Sequence, residues 1–202
     1  MLPKLNNARA LRIISAAREE FAKHGFAGAR MDRIAAHARV NKQLLFYYYH
    51  SKHGLFQAVL AACAGELDAA MRATEGAVPS TIPPLERLRR MLDTQYLFFE
   101  SHPPVVELLT QTGEREVRGF ASAINRLVVL IAEGQGVGDI RDELDPHLVA
   151  AQALVLMVAY VRLEPLIALS AAPLGVDGPA LSARWRDAGV KLVLDGIRAG
   201  EK

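Results

Sequence analysis

The sequence predicts an all-α protein with an N-terminal three-helix helix-turn-helix domain and a C-terminal helical domain. Three observations support this fold class. Apolar residues recur at steps of three and four along the chain, which is the helical period. No alternation of period two is long enough to predict a strand. Residues 1–56 carry a formal charge of +7, whereas residues 57–202 carry −5, so the chain has two chemically different parts.

Helix-start and helix-stop signals give the order of the elements. Gly25 is predicted to end a first helix over residues 7–24 in a left-handed conformation, with Phe26 contacting Phe21. Asn41 is a good N-cap, and Ser51 can cap a long fourth helix towards residue 76. The predicted helices cover residues 7–24, 31–38, 42–49, 51–76, 84–101, 104–111, 114–134, 146–170 and 179–199.

Composition restricts the setting of the protein. The chain has 202 residues, of which 51% are hydrophobic and 23% charged, so it is long and apolar enough to bury a core. This composition excludes an intrinsically disordered chain and a small disulfide-rich domain. Its one cysteine, Cys63, cannot form an internal disulfide, which favours a reducing compartment. The longest apolar run, residues 148–161, is shorter than the roughly 20 residues of a membrane span, so it predicts a buried helix. We expect a cytoplasmic protein with no membrane association.

Residues 31–49 have the spacing of a helix-turn-helix. Ala35 is small enough for a close helix crossing, and Ile34, Ala38 and Leu45 can lock the two helices together. The turn usually contains glycine, but Arg39 stands there, which would cost about 1 kcal/mol if its φ is positive. Helix pairs that do not bind DNA share this spacing, and the positive charge of residues 1–56 could be a chance feature of solvated faces.

The start of the third helix carries side chains suited to reading DNA. Lys42 can donate to guanine and Gln43 can pair with adenine in a major groove. Leu45, Tyr48 and Tyr49 lie close to one helical face, so at least one of these tyrosines is expected to pack in the core. Tyr47 lies on another face and is the better candidate for a hydroxyl that reaches DNA, while for Tyr48 both roles stay open.

The first quarter of the chain resembles a known family. The residues that carry the likeness are Ala16-Ala17, Phe21, Gly25-Phe26, Ile34-Ala35, Val40-Asn41-Lys42, Leu45, Tyr48-Tyr49-His50-Ser51-Lys52 and Leu55. Over residues 8–58 they resemble the TetR (tetracycline-repressor-like) family of bacterial transcriptional regulators. The resemblance implies a DNA-binding domain, here residues 1–56, and a helical ligand-binding and dimerisation domain, here residues 57–202.

The DNA contacts implied by the resemblance fall on specific positions, with some departures. Phe46 stands where a tyrosine is common, and Ala29 and Arg30 stand where Ser or Thr often caps the second helix. Gly28 could cap instead, and Arg30 could take over the phosphate contact. The predicted DNA-binding residues are Arg30, Arg39, Lys42, Gln43, Tyr47, Tyr48, His50 and Lys52.

Residues 57–202 show no motif of catalysis, of metal binding or of a cofactor site, so neither an enzyme nor a cofactor is predicted. Polar and aromatic residues scattered through apolar helices describe either an ordinary core or a pocket for a small apolar or amphipathic ligand. These residues are Tyr96, Phe99, Glu107, Gln111, Gln152, Met157 and Tyr160.

The two last helices are apolar enough to predict a homodimer interface, with a purely monomeric core as the alternative. The interface candidates are Leu181, Trp185, Leu192 and Val193. The function expected from all these features is a ligand-responsive dimeric regulator, most simply a repressor, that binds a pseudo-palindromic site on double-stranded DNA. The alternative is a helical-bundle enzyme whose basic N-terminal part binds an anion or nucleic acid.

Overall fold

The computed structural model describes residues 7–113, 117–176 and 178–200, and within them the protein is all-helical. The expected fold class is confirmed, since the described residues contain no strand and one isolated β-bridge between Ile140 and Arg198. The helices are α1 (Asn7–Gly28), α2 (Met31–His37), α3 (Lys42–Tyr49), α4 (Lys52–Ala77), α5 (Pro84–Ser101), α6 (Pro103–Thr110), α7 (Ala121–Val137), α8 (Pro146–Ala171) and α9 (Gly178–Ile197). Short 3-10 turns lie directly before α7, at Arg118–Phe120, and directly after α8, at Ala172–Leu174.

Local capping signals explain where some of the helices begin and end. Asp145 caps α8 by accepting hydrogen bonds from the backbone N–H groups of His147 at 2.8 Å and Leu148 at 3.3 Å. Gly138 ends α7 with a left-handed backbone, φ 84, as a helix stop requires. The helix expected over 114–134 corresponds to α7, which begins at Ala121, and residues 114–116 lie outside the described residues.

Pro165 lies inside α8 and produces a kink. Leu163, two residues earlier, has a non-helical backbone with φ −113 and ψ 15. The missing proline N–H and the proline ring both oppose a regular helix at this point.

The chain divides into two compact units. The first unit comprises Met1–Glu66 and Pro104–Gly119, and the second comprises Leu67–Pro103 and Phe120–Lys202. In the first unit α1 packs on α2, and α2 packs on α3. In the second unit α5, α7, α8 and α9 pack on one another as a helical bundle. The helix α4 is covalently continuous from the first unit into the second.

Two described helices, Lys52–Ala77 and Pro146–Leu174, meet the length and composition of a membrane span. Core helices of soluble proteins meet the same criteria, so this is weak evidence for a membrane. The prediction that residues 148–161 are simply buried is wrong for one face. Val149, Ala153 and Met157 face the bundle, but Leu148 and Val155 are each 64% exposed, because this helix packs along a single side.

Candidate nucleic-acid interface

An aromatic cluster at the end of α1 fixes the entry into α2. Gly25 has φ 67, a backbone that favours glycine, and it breaks the regular helix one residue after His24. Past this break, the Phe26 ring lies 6.1 Å from that of Phe21 and 5.1 Å from that of Phe56. The predicted helix stop and its Phe21–Phe26 contact are therefore confirmed, although the chain resumes a helical turn as far as Gly28.

The backbone N–H at the start of α2 donates its hydrogen bond to a residue of another helix, Glu20 of α1. Arg30 is at the N-cap position without a side-chain cap, so the suggestion that Gly28 caps this helix is wrong. Instead, the backbone N–H of Arg30 donates to Glu20 Oε1 at 2.9 Å, and the Arg33 guanidinium donates to the same oxygen through Nε at 2.7 Å. Arg33 also donates to the carbonyl of Gly28 at 2.9 Å. Glu20 thus connects α1 to the beginning of α2.

The ionised form of Glu20 is stabilised by its hydrogen-bond donors. Burial of this carboxylate acts to raise its pKa, but the hydrogen bonds from Arg33 and from the Arg30 N–H outweigh burial and lower the pKa below its usual value. The side chain of Glu20 is only 11% exposed. A carboxylate that stays ionised here can hold both partners throughout the physiological pH range.

The turn between α2 and α3 contains the expected strained residue. Arg39 has φ 54, in the left-handed region that glycine usually occupies. The turn is closed by the N–H of Val40, which donates to the carbonyl of Ala35 at 3.0 Å. Ile34, Ala35 and Ala38 are buried between the helices, as the spacing predicted. The Arg39 side chain is exposed and so remains available for a DNA contact.

The first turn of α3 presents its side chains to solvent. Asn41 caps the helix by accepting from the backbone N–H of Leu44 at 2.7 Å, which confirms the predicted cap. Lys42 and Gln43 are both exposed, and Leu45 on the opposite face is fully buried. The buried leucine therefore sets the rotation of α3 and turns the two predicted base-reading side chains outwards.

The aromatic residues of α3 divide between surface and interior. Tyr47 is 45% exposed and Phe46 is 42% exposed. Tyr48 is half-buried and its ring lies edge-on to that of Tyr47 at 5.0 Å. Tyr49 is also half-buried, and burial raises the pKa of its phenol. The expectation that one of the tyrosines packs inwards is met by Tyr49, while Tyr47 remains the most accessible phenol of the three.

The junction between α3 and α4 holds the last two predicted DNA-binding residues. His50 has φ 62 and ends α3, and its side chain is exposed. Lys52 donates from Nζ to the carbonyl of Ala27 at 3.0 Å, and the same ammonium lies 5.0 Å from the centre of the Phe26 ring. An ammonium has three donors, so Lys52 can hold this junction and still offer N–H groups to a phosphate. Arg30 is exposed as well, but its guanidinium pairs with Asp32 at 2.8 Å.

The predicted ligand-binding residues are divided between the two units. Glu107 and Gln111 belong to the first unit, where Gln111 Nε2 donates to Glu107 Oε1 at 2.6 Å. Gln152 is exposed on α8 because it lies on the face turned away from the bundle, so its expected role as a pocket anchor is not supported. The remaining four, Tyr96, Phe99, Met157 and Tyr160, are each buried in the second unit, and the rings of Tyr96 and Tyr160 are 5.9 Å apart.

A small apolar cavity adjoins some of these residues. Tyr96, Met157 and Trp185 contribute to its wall, and its free volume is about 10 Å³. This is room for about one water molecule, so a larger molecule could enter only if the helices moved apart. The Tyr96 hydroxyl is 3.2 Å from Ser182 Oγ and from the Ser182 carbonyl oxygen, and burial raises the pKa of Tyr96 to about 12.

The predicted dimer residues also differ in position. Leu181 is 4% exposed because it packs inside its own unit, so its assignment to an interface is corrected. Trp185 and Val193 are half-buried, and Trp185 lies 5.7 Å from the Tyr160 ring. Leu192 is 66% exposed and remains the best candidate of the four.

Sequence reasoning missed two of the residues that organise the interface, Glu20 and Arg33. The ten-residue separation of Glu20 from Arg30 gives no local motif, since the cap is supplied by a different helix. Within the described residues, no group of three or more His, Cys, Asp or Glu side chains could hold a metal ion.

The geometry above defines a helix-turn-helix DNA-binding protein, and comparisons with known proteins give its family. The model of the "Bacterial regulatory proteins, tetR family" matches residues 13–59. The HTH-type transcriptional repressor SCO4008 of Streptomyces coelicolor is 38% identical over 159 residues, which cover 75% of each chain. This chain belongs to the tetR family and is a transcriptional regulator.

Solved structures show the same fold over nearly the whole chain. The protein SCO4942 from Streptomyces coelicolor is 29% identical, with a TM-score of 0.71 over 93% of this chain and 97% of that one. FadR from Bacillus subtilis, solved in complex with stearoyl-CoA, is 17% identical, with a TM-score of 0.73 over 94% of this chain and all of that one. The helical arrangement is thus shared well beyond the segment that the family model matches.

Proposed function

We propose that the protein is a dimeric, ligand-responsive repressor that reads a pseudo-palindromic operator with the first turn of α3. The observation that carries this proposal is the capped, outward-facing start of α3, where Asn41 fixes the helix and Lys42 and Gln43 are exposed. A recognition helix presents these N-terminal positions to the base edges of a major groove. The charge of +7 on residues 1–56 supplies the attraction to phosphates.

The two classes of predicted contact have different signatures in a binding assay. Lys42→Ala and Gln43→Ala remove base contacts, so each should lower operator affinity by roughly 5- to 150-fold and relax the preferred sequence. Lys52→Met keeps the aliphatic stem over Phe26 but removes the charge, so it should weaken binding to all duplexes alike and reduce the salt slope by about 1. Arg30, Arg39, Tyr47, Tyr48 and His50 are proposed as further backbone contacts.

The experiment is fluorescence anisotropy of the full chain with a labelled duplex from its own upstream region, titrated at several salt concentrations. Lys191→Ala is the matched control, since this exposed lysine of α9 pairs with Asp195 in the second unit. The control should bind like wild type. Unchanged affinity and specificity in both Lys42→Ala and Gln43→Ala would refute the assignment of α3 as the reading helix.

The dimer proposal rests on apolar side chains that a single chain leaves uncovered. On α8 and α9, each of the following is more than half exposed: Leu148, Val155, Leu166, Leu169 and Leu192. Obligate homodimers commonly bury 2,000 Å² or more of such surface. Two copies would then place two α3 helices at half-sites about 34–36 Å apart, one turn of DNA.

Sedimentation velocity tests this interface. Leu192→Glu should convert the dimer to monomer, because it buries an unpaired charge in the interface. Val129→Glu is a matched control, because Val129 is 63% exposed but lies on α7. If wild type is a monomer at micromolar concentration, or if both variants remain dimers, the proposed interface is wrong.

The proposed effector is a small apolar or amphipathic molecule that binds among the helices of the second unit. Support comes from the apolar lining around Tyr96 and Met157. A structural neighbour, FadR from Bacillus subtilis, holds stearoyl-CoA. Because the free volume is so small here, binding would select a more open arrangement of α5, α8 and α9. The effector can weaken DNA binding only through its higher affinity for that state.

A further inference from the structure

Gln95 is a fully buried polar residue whose side chain has no partner. It lies in α5 with 0% exposure, and neither its Oε1 nor its Nε2 has a hydrogen-bond partner among the described residues. Native proteins satisfy the great majority of buried polar atoms, and an exception calls for a specific explanation. An amide with two free donors and one free acceptor is therefore the most distinctive feature of the second unit's interior.

The positions around Gln95 on α5 are apolar. Met91 lies one helical turn before it and Phe99 one turn after it on the same face, and both are buried. No charged residue belongs to the buried part of the second unit as far as the structure describes it; the other buried polar residue there is Ser182. Gln95 therefore has no hydrogen-bond partner among the described residues, and no charged residue described in its unit is buried as deeply.

The other polar residues considered as anchors are already engaged or exposed. The hydroxyl of Tyr96, the next residue along α5, is within 3.2 Å of Ser182 Oγ and of the Ser182 carbonyl oxygen. Ser182 also donates to Glu100. Gln152 is exposed, and Gln111 donates to Glu107 within the first unit. Gln95 alone among these keeps a buried side chain with its hydrogen-bonding capacity unused.

We propose that Gln95 is the hydrogen-bonding anchor of the effector site, and that the group it binds is neutral, such as a carboxamide, alcohol or ketone on an apolar body. A carboxylate or phosphate in the same place would need a buried counter-charge, and burying an unpaired charge is far more costly than burying a neutral group. A primary carboxamide matches Gln95 best, because it can accept from Nε2 and donate to Oε1 at once. This inference rests on the proposed function. Gln95 does not line the small cavity beside Tyr96, so a ligand would reach it only in the more open arrangement of the helices.

The first test uses the ligand-free full chain. Gln95→Met keeps a similar volume but removes both unpaired atoms, so thermal unfolding should show a melting temperature a few degrees above that of wild type. Tyr96→Phe is the matched control on the same helix, and it should lower the melting temperature because its hydroxyl is hydrogen-bonded. A lower melting temperature for Gln95→Met, reproduced in Gln95→Leu, would show that the amide is already satisfied in the folded chain and would overturn the proposal.

The second test compares two probes of equal chain length, octanamide and octanoate, by the same unfolding assay. Octanamide should raise the melting temperature of wild type and octanoate should not, and Gln95→Met should lose the response to octanamide. Equal responses to both probes, a response that survives in Gln95→Met, or no response of wild type to octanamide would each overturn the proposal.

Operator binding separates this inference from the proposed function. Wild type should bind the operator duplex without a probe. If it binds and the probe experiments fail, the anchor is wrong while the regulator remains. If it does not bind DNA, the proposed function itself fails, whatever the probes show.

Discussion

Replacing Glu20 with alanine removes the acceptor that starts α2 and tests how the helix-turn-helix is held. The carboxylate accepts the backbone N–H of Arg30 at 2.9 Å and Arg33 Nε at 2.7 Å. Loss of an N-terminal acceptor costs about 1 kcal/mol. Loss of the bond from Arg33 adds about 1 kcal/mol, less than the roughly 1.5–3 kcal/mol of buried charge-assisted bonds, because Arg33 is 43% exposed and solvent screens the pair.

The total of about 2 kcal/mol corresponds to a fall in melting temperature of about 4–8 °C for a chain of this size. Glu19→Ala is the matched control, because Glu19 is the adjacent residue of α1 and is 57% exposed. That variant should stay within about 0.5 kcal/mol of wild type. Because α2 positions α3, Glu20→Ala should also weaken operator binding in the anisotropy assay, and Glu19→Ala should not.

The stabilisation by Glu20 should depend on pH in a defined direction. Its pKa is lowered in the folded chain, so the stabilisation is complete above the unfolded value near 4.5 and is lost as the pH falls through the lower, folded value. The difference in melting temperature between wild type and Glu20→Ala should be present at pH 7 and should narrow below pH 4.5. A destabilisation no larger than that of Glu19→Ala, or a difference that persists unchanged to pH 3, would refute this account.

Two further predictions follow from the backbone and from the core. Arg39→Gly relieves the positive φ of the turn, so it should stabilise the chain by about 1 kcal/mol in thermal unfolding, and a lower operator affinity in the same variant would identify Arg39 as a DNA contact. Burial raises the pKa of the Cys63 thiol to about 11, so native protein at pH 8 should react with a disulfide reagent such as DTNB at least roughly a hundredfold more slowly than unfolded protein. Equal rates in native and unfolded protein would contradict the burial of Cys63.

Features governed by neighbouring residues could be predicted from the sequence. The stop at Gly25, the cap at Asn41, the cap at Asp145 and the kink before Pro165 each depend on a few adjacent residues. The strain at Arg39 was also foreseeable, since the turn geometry is common to helix-turn-helix pairs. For the same reason the outward position of Lys42 and Gln43 followed from the period of α3 and the buried Leu45.

Features that depend on packing between distant segments could not be predicted. Glu20 of α1 accepts the hydrogen bond from the backbone N–H at the start of α2, so no spacing rule along the sequence predicts this contact. The apolar content of α8 does not tell a core helix from one that leaves Leu148 and Val155 exposed. The sequence also could not show that Gln111, a predicted ligand-binding residue, belongs to the first unit rather than to the second.

For Gln95 the sequence predicts burial but not the hydrogen bonding of the side chain. Its spacing of three and four residues from Leu92, Met91 and Phe99 places it on the inner face of α5, so the helical period was enough to predict its burial. The helical period does not predict whether Gln95 has a hydrogen-bond partner, because that partner would have to come from a side chain on another helix. Tyr96 illustrates this, since its partner Ser182 lies 86 residues away. Among the described residues the buried polar side chains are those of Gln95 and Ser182, and Gln95 is the one without a partner, which is why we propose it as the group that an effector would bind.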